Sequence, residues 1–207
     1  MDAVETLVAH GCDPWAINSF GLSMLHVAAQ GDSANCLYYF KKLGLDLNLK
    51  DLRGSTPLHW ACYSHSEIAL SYILAWNPQL DTKDENGFTA LHLAVKSVDT
   101  VETVRPVRFL MINGADKDQR DNNEQTPLDL VEDGEVSTQN LANELRRMLV
   151  SSNFVSDLDA VERSWLLRVP HADSTHEEDK TEPKEYASLP HHDVWILTRL
   201  VAVCVPM

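Results

Sequence analysis

Three histidines, His26, His59 and His92, follow one another at intervals of 33 residues. Imidazole is the commonest metal-binding side chain and can act as a general base near neutral pH, so a regular series of histidines could carry chemistry. Each of them is the fourth residue of a six-residue motif, in copies that span residues 23–28, 56–61 and 89–94. A fourth copy, residues 126–131, begins 37 residues after the third and has Asp129 in place of histidine.

Other groups that could act as nucleophiles or bases are isolated in the sequence. His10, Cys12 and Asp13 are close together, but no paired base and no glycine-rich phosphate loop accompanies them. The four cysteines, Cys12, Cys36, Cys62 and Cys204, form no C-x-x-C pair, which disfavours a disulfide scaffold. We expect Cys36 and Cys62 to be small core residues. The sequence therefore predicts neither enzyme activity on this chain nor a cofactor or metal.

The elements around the histidines are short helices. Thr56 is suited to cap a helix and Pro57 to occupy its first position, where a missing N–H costs nothing. Leu58 and Ala61 then share one helix face. A second apolar helix follows each motif, and the opening segment, residues 4–14, matches this second helix alone. The sequence thus predicts helix pairs, with the first pair represented by one helix.

Short turns connect the predicted helix pairs. Asn or Asp opens each turn through its side chain, and glycine supplies a positive φ, as at Gly21, Gly54 and Gly87. The fourth turn has Glu124 where glycine is expected, which predicts either a shift of the left-handed position to Asn123 or a strained turn. The 37-residue interval adds four residues around 97–104, interpreted as a loop that is either a functional projection or a tolerated insertion.

Charge and composition bound the kind of partner. The formal net charge is −14 over 207 residues, which argues against nucleic acid, because phosphate contacts need Lys and Arg. No signal peptide opens the sequence, so a cytoplasmic location is expected.

The C-terminal quarter differs in composition from the rest. Ser137 or Thr138 is suited to cap a helix, residues of which form an apolar stripe that would close the array: Leu141, Leu145, Met148 and Leu149. Residues 170–190 are polar and acidic and are interpreted as a disordered linker. Residues 194–205 are apolar but number about a dozen, whereas a membrane span needs about 20. They are interpreted as the truncated start of a span, an edge-seeking strand or a non-native tail, so no complete transmembrane segment is predicted.

The motif and its period resemble the ankyrin repeat. The resemblance implies an all-α solenoid of helix-turn-helix repeats with short β-turn or hairpin connections and a disordered C-terminal tail. It also implies that the three histidines tie adjacent turns together by hydrogen bonds, which favours a structural role over a metal or catalytic one. The predicted units are residues 1–17 (second helix of a partial repeat), 18–50, 51–83, 84–120 (with the insertion), 121–152 (degenerate repeat and capping helix) and 153–207 (linker and apolar tail).

One subgroup of ankyrin proteins is more similar still. The run from Gly54 to Tyr63, GSTPLHWACY, resembles the ankyrin domain of DHHC palmitoyltransferases, as do the copies at residues 89–92 and 128–130. In that family the ankyrin domain faces the cytosol and recruits substrates for a membrane-bound catalytic half. His191-His192-Asp193 is not the catalytic motif, since no cysteine follows, and the linker is acidic where the family has basic residues. The resemblance therefore implies a fragment, or a truncated gene model, of a protein on the cytosolic face of the Golgi or another endomembrane.

The predicted binding surface is the concave face of the array, formed by the first helices and turn tips. Trp60 is interpreted either as an inner packing residue or as the aromatic wall of a pocket for an extended peptide, since Trp and Tyr are favoured binding anchors. The expected partner is a protein or an extended peptide segment, and the alternative to a palmitoyltransferase part is a free-standing cytosolic scaffold. The candidate partner-binding residues are Gln30, Arg53, Trp60, Tyr63, Phe88 and Lys96.

Overall fold

The computed structural model describes residues 2–134 and 136–151. Within these ranges the regular elements are all helices, and no strand is present. The helices are α1 (Asp2–Ala9), α2 (Met24–Gln30), α3 (Ala34–Lys42), α4 (Pro57–Tyr63), α5 (Glu67–Ala75), α6 (Ala90–Val101), α7 (Arg105–Ile112), α8 (Pro127–Glu132) and α9 (Gln139–Val150). The all-α repeat architecture is therefore as predicted, with turns rather than hairpin strands between the repeats.

The helices form two rows. The first helices of the repeats pack on one another in the order α2, α4, α6, α8, and the second helices α3, α5 and α7 pack in a parallel row behind them. The core lies between the rows and contains the leucines at the third motif position, Leu25, Leu58 and Leu91, each at most 1% exposed. Cys36 and Cys62 are also buried there, as expected, and burial raises the pKa of the Cys62 thiol to about 12. We call the side formed by the turns and the first helices the inner face.

Each turn is closed by its own side chain and bonded to the next turn. In the second turn, Asp51 Oδ1 accepts the backbone N–H groups of Arg53 (2.9 Å) and Ser55 (2.8 Å). One backbone hydrogen bond then links each turn to its neighbour, as from Glu85 N to Arg53 O (2.7 Å). The approach is close: a Cβ on Gly87, whose φ is +79°, would lie 2.5 Å from the backbone nitrogen of Asn122. Glycine is therefore required here by both conformation and space.

The fourth turn keeps the geometry of the others despite its sequence. Glu124 itself adopts the left-handed conformation, with φ +61°. The expected shift of that position to Asn123 is wrong. Asp121 Oδ1 holds the N–H groups of Asn123 (2.8 Å) and Gln125 (2.9 Å), and Asn122 N donates to Asn86 O (3.0 Å). These bonds fix the turn and oblige Glu124 to accept a conformation that costs an L-residue about 1 kcal/mol.

The inserted residues form a longer helix rather than the predicted loop. Helix α6 has 12 residues where α2 and α4 have seven, and it ends at Val101, followed by the C-cap residue Glu102 with a φ of +53°. Val98, in the added part, is fully buried, so the insertion extends the apolar face of the helix. Asp99 then reaches the start of the closing helix, where it accepts hydrogen bonds from the Ser137 N–H and hydroxyl and from Thr138 N (3.3 Å).

The closing helix α9 begins after Thr138 and packs on α8 and α6. Its buried residues include Leu145, Met148 and Leu149, three of the four predicted for the apolar stripe, while Leu141 is half-buried. Lys117 Nζ donates to the carbonyl oxygen of Leu149 (2.6 Å) at the end of this helix, where a cation is favoured.

The predictions for the linker and the apolar tail concern residues outside the described part of the chain. Cys204 and residues 191–193 also lie outside the described part of the chain. None of the described helices is long and apolar enough to cross a membrane.

Candidate binding groove

The three motif histidines are buried and bridge adjacent repeats. The Nδ1 atom of His59 accepts the backbone N–H of Thr56 (3.2 Å), and its Nε2 lies 3.1 Å from the carbonyl oxygen of Phe88 in the next turn. His26 and His92 make the same pair of contacts, with Nε2 3.1 Å from Ser55 O and 3.2 Å from Gln125 O. Because a backbone N–H can only donate and a carbonyl can only accept, each ring is the neutral tautomer that carries its proton on Nε2.

Burial lowers the pKa of all three histidines from the ordinary value of 6.5, which keeps the rings neutral. The hydrogen bonds to backbone carbonyl oxygens raise these pKa values, but by less than burial lowers them. Both nitrogens of each ring are engaged, so no lone pair is available for a metal or a substrate. Across residues 2–134 and 136–151, no group of three His, Cys, Asp or Glu side chains is placed to hold a metal ion.

Asp129 ends the series of histidines. One carboxylate oxygen, Oδ2, accepts both the backbone N–H and the hydroxyl of Thr126, each at 2.7 Å. The backbone hydrogen bond from Thr126 is the main reason that the pKa of Asp129 lies below its usual value. The carboxylate thus replaces the Nδ1 half of the histidine arrangement and has no N–H to donate onward.

A groove of about 610 Å³ lies on the inner face between the second and third turns. One wall comes from the turn at residues 51–54 and helix α4, and the other comes from the turn at residues 84–87 and helix α6. Five of the six predicted partner-binding residues line it: Arg53, Trp60, Tyr63, Phe88 and Lys96. The sixth, Gln30, lies one repeat earlier at the end of α2, and it is not among the lining residues.

Trp60 both packs against the core and lines the groove. Its indole N–H donates to Asp51 Oδ2 (2.9 Å), and its ring is half-buried against the core. The ring also lines the groove and meets Tyr63 edge to face, with centroids 5.9 Å apart and an interplanar angle of 78°. Tyr63 is 64% exposed, which makes it the more accessible half of this aromatic pair. The indole is therefore fixed in place, and the phenol beside it is open to solvent.

The opposite wall carries Phe88 and Lys96. Lys96 Nζ lies 5.3 Å from the centre of the Phe88 ring, within the range of a cation–π contact. At the turn tips, Arg53 Nε lies 3.5 Å from Glu85 Oε1, and both side chains are at least half exposed. Such an exposed pair contributes little to stability. The groove therefore has aromatic walls and a charged rim whose side chains can change partners.

Sequence reasoning missed several lining residues, including Asp84, Leu93 and His65. Asp84 opens the third turn and Leu93 is the fifth residue of the third motif copy. Their repeat register was the signal that could have placed them beside Trp60 and Phe88. His65 carries no motif signal. It has φ +59°, and its Nδ1 is buried with no hydrogen-bond partner in the described part of the chain.

Sequence comparison matches residues 1–84 to the family described as ankyrin repeats (3 copies) and residues 86–122 to the ankyrin repeat. Together these matches cover more than half of the chain, and the helix pairs and bonded turns agree with them. The chain belongs to the ankyrin-repeat family. A search of curated proteins found no match.

Ankyrin repeats are a protein-binding architecture, and no enzyme family was detected in the chain. The comparisons contain nothing that bears on the resemblance to DHHC palmitoyltransferases.

Proposed function

We propose that this ankyrin protein binds an extended segment of a partner protein in the groove between α4 and α6. The observation that carries the proposal is the aromatic wall formed by Trp60 and Tyr63. An exposed tyrosine beside a tryptophan fixed by Asp51 is a preorganised surface, because little side-chain entropy is lost when a ligand covers it. Aromatic residues of this kind supply a large share of the energy of protein interfaces.

The proposal can be tested with peptides selected from a random library against the full 207-residue chain. Tyr63→Ala removes the exposed half of the aromatic wall. We expect it to weaken peptide affinity about tenfold or more, as at an interface hot spot. The melting temperature should change little, because the side chain is largely exposed. Fluorescence polarisation and thermal denaturation measure the two quantities.

Tyr38→Ala is the matched control, since Tyr38 is a 41% exposed tyrosine on the outer helix α3. Its affinity should equal that of the parent. Trp60→Ala tests the fixed half of the wall. If Trp60→Ala lowers the free energy of unfolding by about 3–5 kcal/mol, as a core truncation does, while each folded molecule still binds normally, Trp60 is a packing residue and not an anchor.

A narrower proposal follows from the run at residues 54–63: the module recruits substrates for a protein S-palmitoyltransferase and works at a cytosolic membrane face. Its support is the sequence resemblance alone. The alternative is a free-standing cytoplasmic scaffold that uses the same groove. Transcript sequence distinguishes them, because a palmitoyltransferase transcript encodes a cysteine-rich segment with Asp-His-His-Cys between apolar runs of about 20 residues.

A further inference from the structure

The aspartates that open successive turns differ in the hydrogen bonds of their second carboxylate oxygen. The aspartate that differs, Asp84, lines the groove. Asp51 uses Oδ1 for its own turn and Oδ2 for the indole N–H of Trp60, nine residues later. Asp84 uses Oδ1 in the same way, for the N–H groups of Asn86 (2.8 Å) and Phe88 (2.9 Å). Nine residues after Asp84 stands Leu93, which has no donor. Asp84 Oδ2 accordingly accepts no hydrogen bond from any described residue.

The other turns have no such open oxygen. In the fourth turn Asp121 is 4% exposed, and its Oδ2 accepts from Asn123 Nδ2 (3.4 Å). The first turn has the neutral amide of Asn18 at this position. Asp84, by contrast, is half-buried, lines the groove and forms no ion pair within the described ranges. A charged acceptor of this kind is stabilised by a ligand that brings a donor.

We propose that the groove takes an arginine side chain of the partner, whose guanidinium donates to Asp84 Oδ2 where the preceding repeat has an indole N–H. This inference rests on the proposed function. The groove suits a guanidinium in two further ways. The aromatic pair Trp60 and Tyr63 offers a surface on which a planar cation stacks. The charge of the chain also favours a cation: Arg53, on the rim, faces the carboxylate of Glu85, and the whole chain has a formal charge of −14.

The test compares peptides and variants in pairs. Peptides selected against the full chain should share an arginine at one position. Replacing that arginine by citrulline, which has nearly the same shape without the charge, should weaken binding about ten- to hundredfold, the range of a charge-assisted hydrogen bond. Asp84→Asn should weaken the arginine peptide by a similar factor and leave the citrulline peptide nearly unaffected. Such coupling in a double-mutant cycle assigns the contact to this pair of groups.

Two variants make the result specific. Asp121→Asn alters the equivalent carboxylate outside the groove and should leave affinity unchanged. Leu93→Trp places an indole at the position that Trp60 holds relative to Asp51, and it should reduce affinity by occupying Asp84 Oδ2 within the protein. Asn18 already supports a turn of this type through its Oδ1, so Asp84→Asn should fold normally, which circular dichroism verifies.

The possible outcomes separate this inference from the proposed function. Peptides that lose binding with Tyr63→Ala but carry no common arginine, or that bind Asp84→Asn as tightly as the parent, overturn the inference and leave the groove as a binding site. Peptides that bind Tyr63→Ala and Trp60→Ala as tightly as the parent overturn the proposed function itself.

Discussion

At the scale of the residue, the motif histidine joins two repeats through ring nitrogens with opposite roles. Nδ1 accepts from the backbone at the start of its own helix, and Nε2 donates to a carbonyl in the next turn. A protonated ring could not accept at Nδ1, so protonation would break the contact within the repeat. The neutral ring is thus part of the fold, and its burial makes the stability of the array depend on pH.

We predict that stability falls between pH 6.5 and pH 5. The three histidines have pKa values lowered by burial, so the unfolded chain, with histidines near 6.5, takes up protons before the folded chain does. Their contribution is complete above about pH 6.5 and is lost as the pH falls through the folded-state values, by up to about 1.4 kcal/mol per pH unit for each histidine. Urea denaturation over this range measures the slope. A free energy of unfolding that stays constant from pH 7 to pH 5 would contradict it.

At the scale of the element, the longest first helix, α6, links the third repeat to the closing helix. Its added residues bury Val98 and place Asp99 against the N-terminal end of α9. Hydrogen bonds from Ser137, through its side chain and backbone, are the main reason that the pKa of Asp99 lies below its usual value. A carboxylate at this end of a helix also complements the helix dipole. The insertion therefore contributes to closing the array instead of extending a loop from it.

We predict that Asp99→Ala loosens α9 selectively. The backbone N–H groups of Ser137 and Thr138, directly before α9, lose their acceptor. Amide exchange in residues 139–150 should therefore become faster, while exchange in α4 should stay unchanged. Asp118→Ala is the control, because Asp118 is an exposed aspartate whose side chain makes no such contact with any of the described helices. Equal acceleration of exchange in α4 and α9 would show that the contact is not local to the closing helix.

At the scale of the whole molecule, the repeat pattern determines most of what could be predicted. Thr56 and Pro57 mark a helix start by local chemistry, and the helix begins at Pro57 as expected. The predictions of a left-handed Asn123 and of a loop at the inserted residues were wrong, because interactions distant in sequence determine both conformations. Bonds from neighbouring turns hold Glu124 left-handed, and burial of Val98 makes the insertion helical. The register brought the groove aromatics together, but it could not show which oxygen of Asp84 has a partner.

We also predict that the array unfolds first at its N-terminal end. Among the described residues, α1 has a second-helix sequence without a first helix packed beside it. It contacts the array through a small apolar hollow lined by Val4, Leu7, Val8, Met24 and Phe40. Each repeat is stabilised by its neighbours, so a helix with one neighbouring repeat is the least protected. Hydrogen exchange should be fastest in residues 3–9 and slowest in α4 and α6. Uniform protection from residue 4 onward would contradict this.

Asp129 has a consequence for lengthening the array. If the repeats are regarded as units of a polymer, each histidine gives its unit an N–H donor that bonds to the next unit. Asp129 offers only carboxylate oxygens, which would repel the carbonyl of any unit added there. A fifth repeat grafted after the fourth would therefore need Asp129→His to form the same hydrogen bond. A repeat inserted between two existing units would instead accept the N–H of the histidine in the preceding unit.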